Sequence, residues 1–119
     1  MSTMILKLRM LTSRGGRSSE NGASRLVPVR PIEYDGARYL VASRGPGQWA
    51  QNLRAAGGGE LLGRRGRKRF RAVEVQGIER ERVVSAYRRQ LGDLVKAYFE
   101  KLPRAVDHPT FRIEPCEQV

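Results

Sequence analysis

The stretch RLVPVRPIEYDGARYLVAS, residues 25–43, decides the class of fold. Pro28 and Pro31 lack a backbone N–H and cannot sit inside a helix, so residues 25–34 are predicted to be extended, as an edge or bulged strand. Asp35-Gly36 is a dipeptide that closes a two-residue β-hairpin. Residues 37–43 are aromatic and β-branched in character and read as the returning strand. Antiparallel hairpins, rather than βαβ crossovers, are then the unit of construction.

Working outward toward the N-terminus, residues 5–12 alternate Leu6, Leu8 and Met10 with Lys7, Arg9 and Leu11, the pattern of a half-buried strand. Residues 13–24, SRGGRSSENGAS, are rich in Gly and Ser and read as a basic loop. Toward the C-terminus, Pro46-Gly47-Gln48-Trp49 opens a short helix to about Ala56, with Trp49, Leu53 and Ala56 on one face and Gly57 as its stop. Residues 60–63 and 67–75 form a second hairpin around Arg65-Gly66. From Ile78 the period changes: Val83, Val84, Tyr87 and Leu91 fit one helix. Gly92-Asp93 is predicted to end it and cap the next, whose face is Leu94, Val95, Tyr98 and Leu102 and whose stop is Pro103. Residues 109–114 are a last strand. The order β, β, β, α, β, β, α, α, β is mainly β with helices, an α+β chain. About six short strands joined by hairpins suggest a closed or half-open antiparallel barrel.

The 119 residues argue for one domain over 1–119, with 1–4 a disordered start and 116–119 a tail. Hydrophobic residues at 39% and charged residues at 29% place it among soluble globular chains rather than disordered ones. No apolar stretch reaches the roughly 18–20 residues of a membrane span. No small-residue cleavage site follows the apolar start, so no signal peptide is read and a cytoplasmic protein is expected. A single cysteine, Cys116, cannot close an internal disulfide, and with one histidine, His108, it cannot build a metal site. No Ser-His-Asp set is read, because the lone His108 sits before a proline near the end.

The formal net charge is +11, and the excess is mostly arginine. Such a balance favours an anionic partner: a phosphate-bearing cofactor, nucleic acid or an acidic membrane surface, the last by peripheral contact. In the loop at 13–25, Arg14, Arg17 and Arg25 surround glycines and serines, a composition that can cradle a phosphate through backbone N–H groups, hydroxyls and guanidinium forks. It is not a Walker A loop, since no Gly-Lys-Ser/Thr occurs. In RRGRKRFR, residues 64–71, six of eight residues are basic. A strand sends alternate side chains to opposite faces, so these cannot form one continuous nucleic-acid stripe, and no specific nucleic acid is expected. With no catalytic set in view, any enzymatic chemistry would come from a cofactor.

The segments LTSRGGRSS, RLVPVRPIEYDGARYLVAS, RGPGQWAQNLRAAGGGEL, RFRAVEV and HPTFRIEP, in that order, resemble the deazaflavin (F-420)-dependent nitroreductase family over about residues 8–115. The most specific part is the strand-turn-helix from Tyr39 to Gly59. The resemblance implies a split β-barrel of the kind that also binds flavin mononucleotide. It implies a deazaflavin coenzyme, with flavin mononucleotide as the alternative. Its tail would be gripped by Arg14, Gly15, Gly16, Arg17, Ser18 and Ser19, then by Arg25 and Pro28. Gly16 and Ser19 depart from the family's usual basic residue and glycine. Ala42, Ser43, Arg44 and Gly45 would lie beside the ring system, closed over by the helix carrying Trp49, Asn52 and Arg54. Tyr98 would wall the acceptor pocket.

The activity so implied is hydride transfer from reduced coenzyme to a quinone, nitroaromatic or similar acceptor. The rival readings are a non-catalytic barrel for a flavin, deazaflavin or lipid-like ligand, and a small basic nucleic-acid binder. A homodimer is expected, since small barrels cover flat apolar edges by pairing.

Overall fold

The computed structural model describes residues 3–9, 24–64 and 66–116. Seven strands form a single sheet: β1 (Met4–Arg9), β2 (Ser24–Val29), β3 (Ile32–Tyr34), β4 (Ala37–Val41), β5 (Gly58–Gly63), β6 (Gly66–Val75) and β7 (Thr110–Pro115). Their order across the sheet is β2-β1-β5-β6-β7-β4-β3, and every neighbouring pair is antiparallel. The two ends of that order, β2 and β3, are joined by Arg30 and Pro31 alone. In a flat sheet the end strands would lie about 29 Å apart. Three Cα steps reach only about 11 Å. The sheet therefore curls until its edges approach, as a half-open antiparallel barrel.

The count is one strand more than the sequence suggested. Arg30-Pro31 splits the extended stretch 25–34 into two strands that sit on opposite edges. Pro28, with no N–H to give, lies on edge strand β2 opposite Ile5. The Asp35-Gly36 hairpin forms as expected. Both residues adopt positive φ, 53° and 81°, which matches the twist of the flanking strands, and Tyr34 pairs with Ala37 across it.

Alternation along the strands produces two cores. Leu6 and Leu8 of β1, Leu40 at the middle of β4, Leu61, Phe70 and Phe111 fill the barrel interior. Tyr39 and Val41 point the other way, with Ile32 and Val75, into a layer built by α2 (Gly77–Leu91) and α3 (Lys96–Lys101). β4 is thus buried on both faces. In β6, Phe70 turns inward while Arg67, Arg69 and Arg71 are exposed on the outer face, so the basic run is divided between faces as its alternation requires.

The helix α1 (Gln48–Ala56) plugs the barrel interior. Gly57 ends it in the left-handed region, φ 78°, and its N–H donates to the Leu53 carbonyl at 2.8 Å. Its inward face is Ala50, Asn52 and Leu53, with Trp49 half-buried beside them. Ala56, expected on that face, is exposed because the chain is already turning into β5. Gly58 there packs so closely on the Phe70 carbonyl of β6 that no side chain would fit.

α2 buries Val83, Val84, Tyr87 and Leu91 as the periodicity indicates, together with Ala86. The next helix departs from expectation. Gly92–Leu94 is a turn of 3₁₀ helix, and α3 begins only at Lys96. That tighter turn shifts the phase. Val95 and Phe99 face the core, whereas Leu94 is 60% exposed and Tyr98 half-buried. No helix among the described residues is long and apolar enough to cross a membrane.

Candidate functional site

The last ladder bond of β4 runs from the Ala42 N–H to the Pro109 carbonyl at 2.9 Å. The chain then leaves the sheet in a tight turn. The Gly45 N–H donates to the Ala42 carbonyl at 3.0 Å, and the Gly47 N–H to the Gly45 carbonyl at 2.7 Å. Gly45 has φ 95°, and a β-carbon there would stand 2.8 Å from Leu102 Cδ1. Two constraints, handedness and contact with the residue that follows α3, therefore select glycine at this position.

The turn brings three predicted residues together. Arg44 is exposed, and its Nη2 donates to the Tyr98 hydroxyl at 2.9 Å, with the guanidinium carbon 5.0 Å from the centre of that ring. Ser43 is half-buried and lies near enough to the Tyr87 hydroxyl to act on its proton. Burial pushes the Tyr87 hydroxyl above the usual tyrosine range; Ser43 and the positive charge of Arg30 pull it back, and Tyr98 adds to the rise. Ser43, Arg44, Tyr87 and Tyr98, from the β4 turn and both helices, thus lie together, with the charge of Arg30 on the β2–β3 link acting on Tyr87.

Tyr87 and Arg30 were not singled out by sequence reasoning. Tyr87 counted only as a member of an apolar helical stripe. The available signal was its hydroxyl, which a buried tyrosine must satisfy. His108 was set aside as a lone histidine, yet it is fully buried beside this turn. Its Nδ1 lies 2.9 Å from the Ala42 carbonyl oxygen and its Nε2 2.7 Å from that of Leu102. Its ring stacks on Phe99 with centroids 4.1 Å apart.

The other predicted positions lie around or away from this turn. Trp49 sits on the first turn of α1, half-buried, its ring centre 6.4 Å from that of Phe111 in the barrel core. Asn52 is buried on the same helix. Arg54 points outward and grips Glu74 of β6 through both carboxylate oxygens, at 2.6 and 2.8 Å. Arg25 and Pro28 are exposed on β2, and Arg25 makes no ion pair among the described residues. Arg14, Gly15, Gly16, Arg17, Ser18 and Ser19 lie outside the described residues.

A separate open groove of about 490 Å³ runs between α2 and α3, lined by Ser85, Arg88, Arg89, Asp93, Lys96 and Phe99 among others. It contains none of the turn residues. Its floor is screened by Arg88, whose guanidinium carbon lies 4.8 Å from the centre of the Phe99 ring.

No protein-family model matches the chain, and no curated protein matches it. Solved structures do share its fold. One is an F-420-H2-dependent reductase, 22% identical, with 93% of each chain covered and a TM-score of 0.66. Another is HutZ, the heme storage protein from Vibrio cholerae, 14% identical over 98% of this chain and 82% of that one, with a TM-score of 0.63. A third is a FAD-binding protein from Mesorhizobium loti, 14% identical over 98% and 83%, with a TM-score of 0.59. At these identities the likeness is one of fold, and it agrees with the split barrel expected from the sequence.

Proposed function

We propose that this chain is a deazaflavin-dependent oxidoreductase that serves hydride transfer from reduced F-420 to a quinone, nitroaromatic or similar acceptor. The observation that carries the reading is the union of Ser43 and Arg44, at the end of β4, with Tyr98 of α3 through the 2.9 Å Arg44–Tyr98 hydrogen bond. The sequence resemblance assigns the first two to the coenzyme ring and the third to the acceptor. A site that brings the two reactants together needs those walls to touch.

The residues present fit such a coenzyme. Ser43 and Arg44 offer donors at an open turn to the polar edge of a flat ring. Trp49 supplies an apolar wall, and the exposed Arg25 on the barrel's edge supplies a cation for an anionic tail. A bound reduced deazaflavin would supply the hydride. The chain's own residues would bind, orient and shield the reactants. The Arg44–Tyr98 contact would open or swing as an acceptor enters, since both groups sit at the surface side of the cluster.

A flavin is the second ligand to weigh, because the same fold occurs in a FAD-binding protein. Equilibrium titration of the purified chain with F-420 and with flavin mononucleotide, read by quenching of Trp49, the chain's one tryptophan, tests the reading. Saturable quenching by F-420, followed by oxidation of the reduced form when a quinone is added, is expected. Quenching by flavin mononucleotide alone would move the protein to the flavin reading. Quenching by neither would sink both.

A further inference from the structure

The buried imidazole of His108 faces two hydrogen-bond acceptors and no donor. A neutral imidazole carries one N–H and one lone pair. Here Nδ1 lies 2.9 Å from the Ala42 carbonyl oxygen and Nε2 2.7 Å from the Leu102 carbonyl oxygen. With one proton on the ring, one of those oxygens would meet a lone pair at hydrogen-bonding distance, away from water. The surroundings favour a cation in a second, independent way: the ring lies stacked on the face of Phe99, within the range in which an aromatic quadrupole attracts positive charge.

We propose that His108 holds a proton on each ring nitrogen and so acts as a two-armed clasp between the end of β4 and the end of α3. One arm holds Ala42, the first residue of the turn that carries Ser43 and Arg44. The other holds Leu102, whose side chain abuts Gly45 of the same turn and whose carbonyl accepts no backbone hydrogen bond among the described residues. The clasp joins the segment that carries Arg44 to the end of the helix that carries Tyr98, so it bears on how firmly the two walls of the cluster are joined. That last consequence rests on the functional reading above; the clasp does not. His108 is here a positioning residue.

His108 is the chain's one histidine, so isotopic labelling of histidine yields a single imidazole spectrum in the intact protein. Nitrogen-15 spectra at neutral pH are expected to show one-bond N–H coupling at both ring nitrogens. One coupled and one bare nitrogen at neutral pH, in a folded chain, would overturn the proposal. The variant His108→Phe keeps the stacking and removes both donors; if folded, it should show faster hydrogen exchange at Gly45 than the parent, and native protection there would equally overturn the clasp. A doubly protonated His108 in a chain that binds no F-420 would support the clasp and count against the functional reading alone.

Discussion

The two faces of β4 lead into cores of different chemistry. Inward, Leu40 meets Leu6, Leu8, Leu53 and Phe111 in an apolar cluster, with the buried Asn52 on the same helix as Leu53. Outward, Tyr39 and Val41 meet a layer that keeps polar groups among its apolar ones: the Tyr39 hydroxyl donates to Glu79 at 2.8 Å, Tyr87 meets Ser43, and His108 lies between two carbonyls. An apolar cluster gains its free energy from area and tight packing and is indifferent to pH. A buried polar network gains less, demands that every group be satisfied, and can respond to protons or ligands. The inner core is therefore expected to set stability, and the outer layer to set what the turn at Ser43–Gly45 can do.

The sharpest way to break that division is Phe111→Ala. Truncating a fully buried aromatic costs about 3–5 kcal/mol, against a total of about 5–15 for a domain. Thermal melts should show Tm falling by roughly 10–20 °C. A small shift would mean that the barrel interior is not the main source of stability.

The next effect should appear in binding and spare the melt. Arg44→Ala removes an exposed guanidinium that donates to Tyr98, and Arg25→Ala one that makes no ion pair among the described residues. Each charge-assisted contact with a ligand is worth about 1.5–3 kcal/mol, so F-420 affinity should drop roughly 10- to 150-fold. A deazaflavin lacking the phosphate tail should feel the Arg44 change and ignore the Arg25 change. Titration of the four combinations separates ring contact from tail contact, and equal losses throughout would refute the assignment.

Tyr87→Phe probes the outer layer at a smaller scale. It deletes the hydroxyl that meets Ser43, at a cost of about 1 kcal/mol. It also changes the alkaline limb of stability. The Tyr87 hydroxyl is pushed above the usual tyrosine range, chiefly by burial, so the folded chain keeps that proton longer than the unfolded chain does. The resulting stability is complete below about pH 10 and is lost as pH rises through the folded value. The variant should lose less stability than the parent above pH 10 in denaturant titrations. Parallel curves would show that Tyr87 is not the group responsible.

The smallest effect is expected at Arg54→Ala. Its pairing with Glu74 is bidentate, yet half of the Arg54 side chain is exposed. Such surface pairs contribute about 0–1 kcal/mol. Chemical denaturation should register no more than that, and a loss near that of Phe111→Ala would erase the contrast between core and surface.

Much of the fold was legible because its signals are local. Asp35-Gly36 specifies a hairpin through backbone conformations that few other residues adopt, and Gly57 a helix end for the same reason. Leu6 and Leu8 announced an inward face by alternation. The candidate site was legible in part. Ser43, Arg44 and Tyr98 were named in advance and meet in space, but Tyr87 was hidden within an apolar stripe and Arg30 within a strand it in fact interrupts. The face of α3 was read only in part: Val95 is buried as expected, but the 3₁₀ turn at Gly92–Leu94, read as a plain break and cap, moved the next buried position from Tyr98 to Phe99.

By itself, the sequence determined the antiparallel class, the hairpins, the short helix after β4 and the positive charge, since each depends on neighbours a few residues apart. Tertiary structure alone decided that β2 and β3 stand at opposite ends of one curled sheet, because a two-residue link constrains distance without naming the strands between. It alone decided that a lone histidine before a proline would close on two carbonyls, one six residues behind it and the other sixty-six. Hydrogen-bond geometry of that kind arises when separate segments are packed together, and no local pattern encodes it.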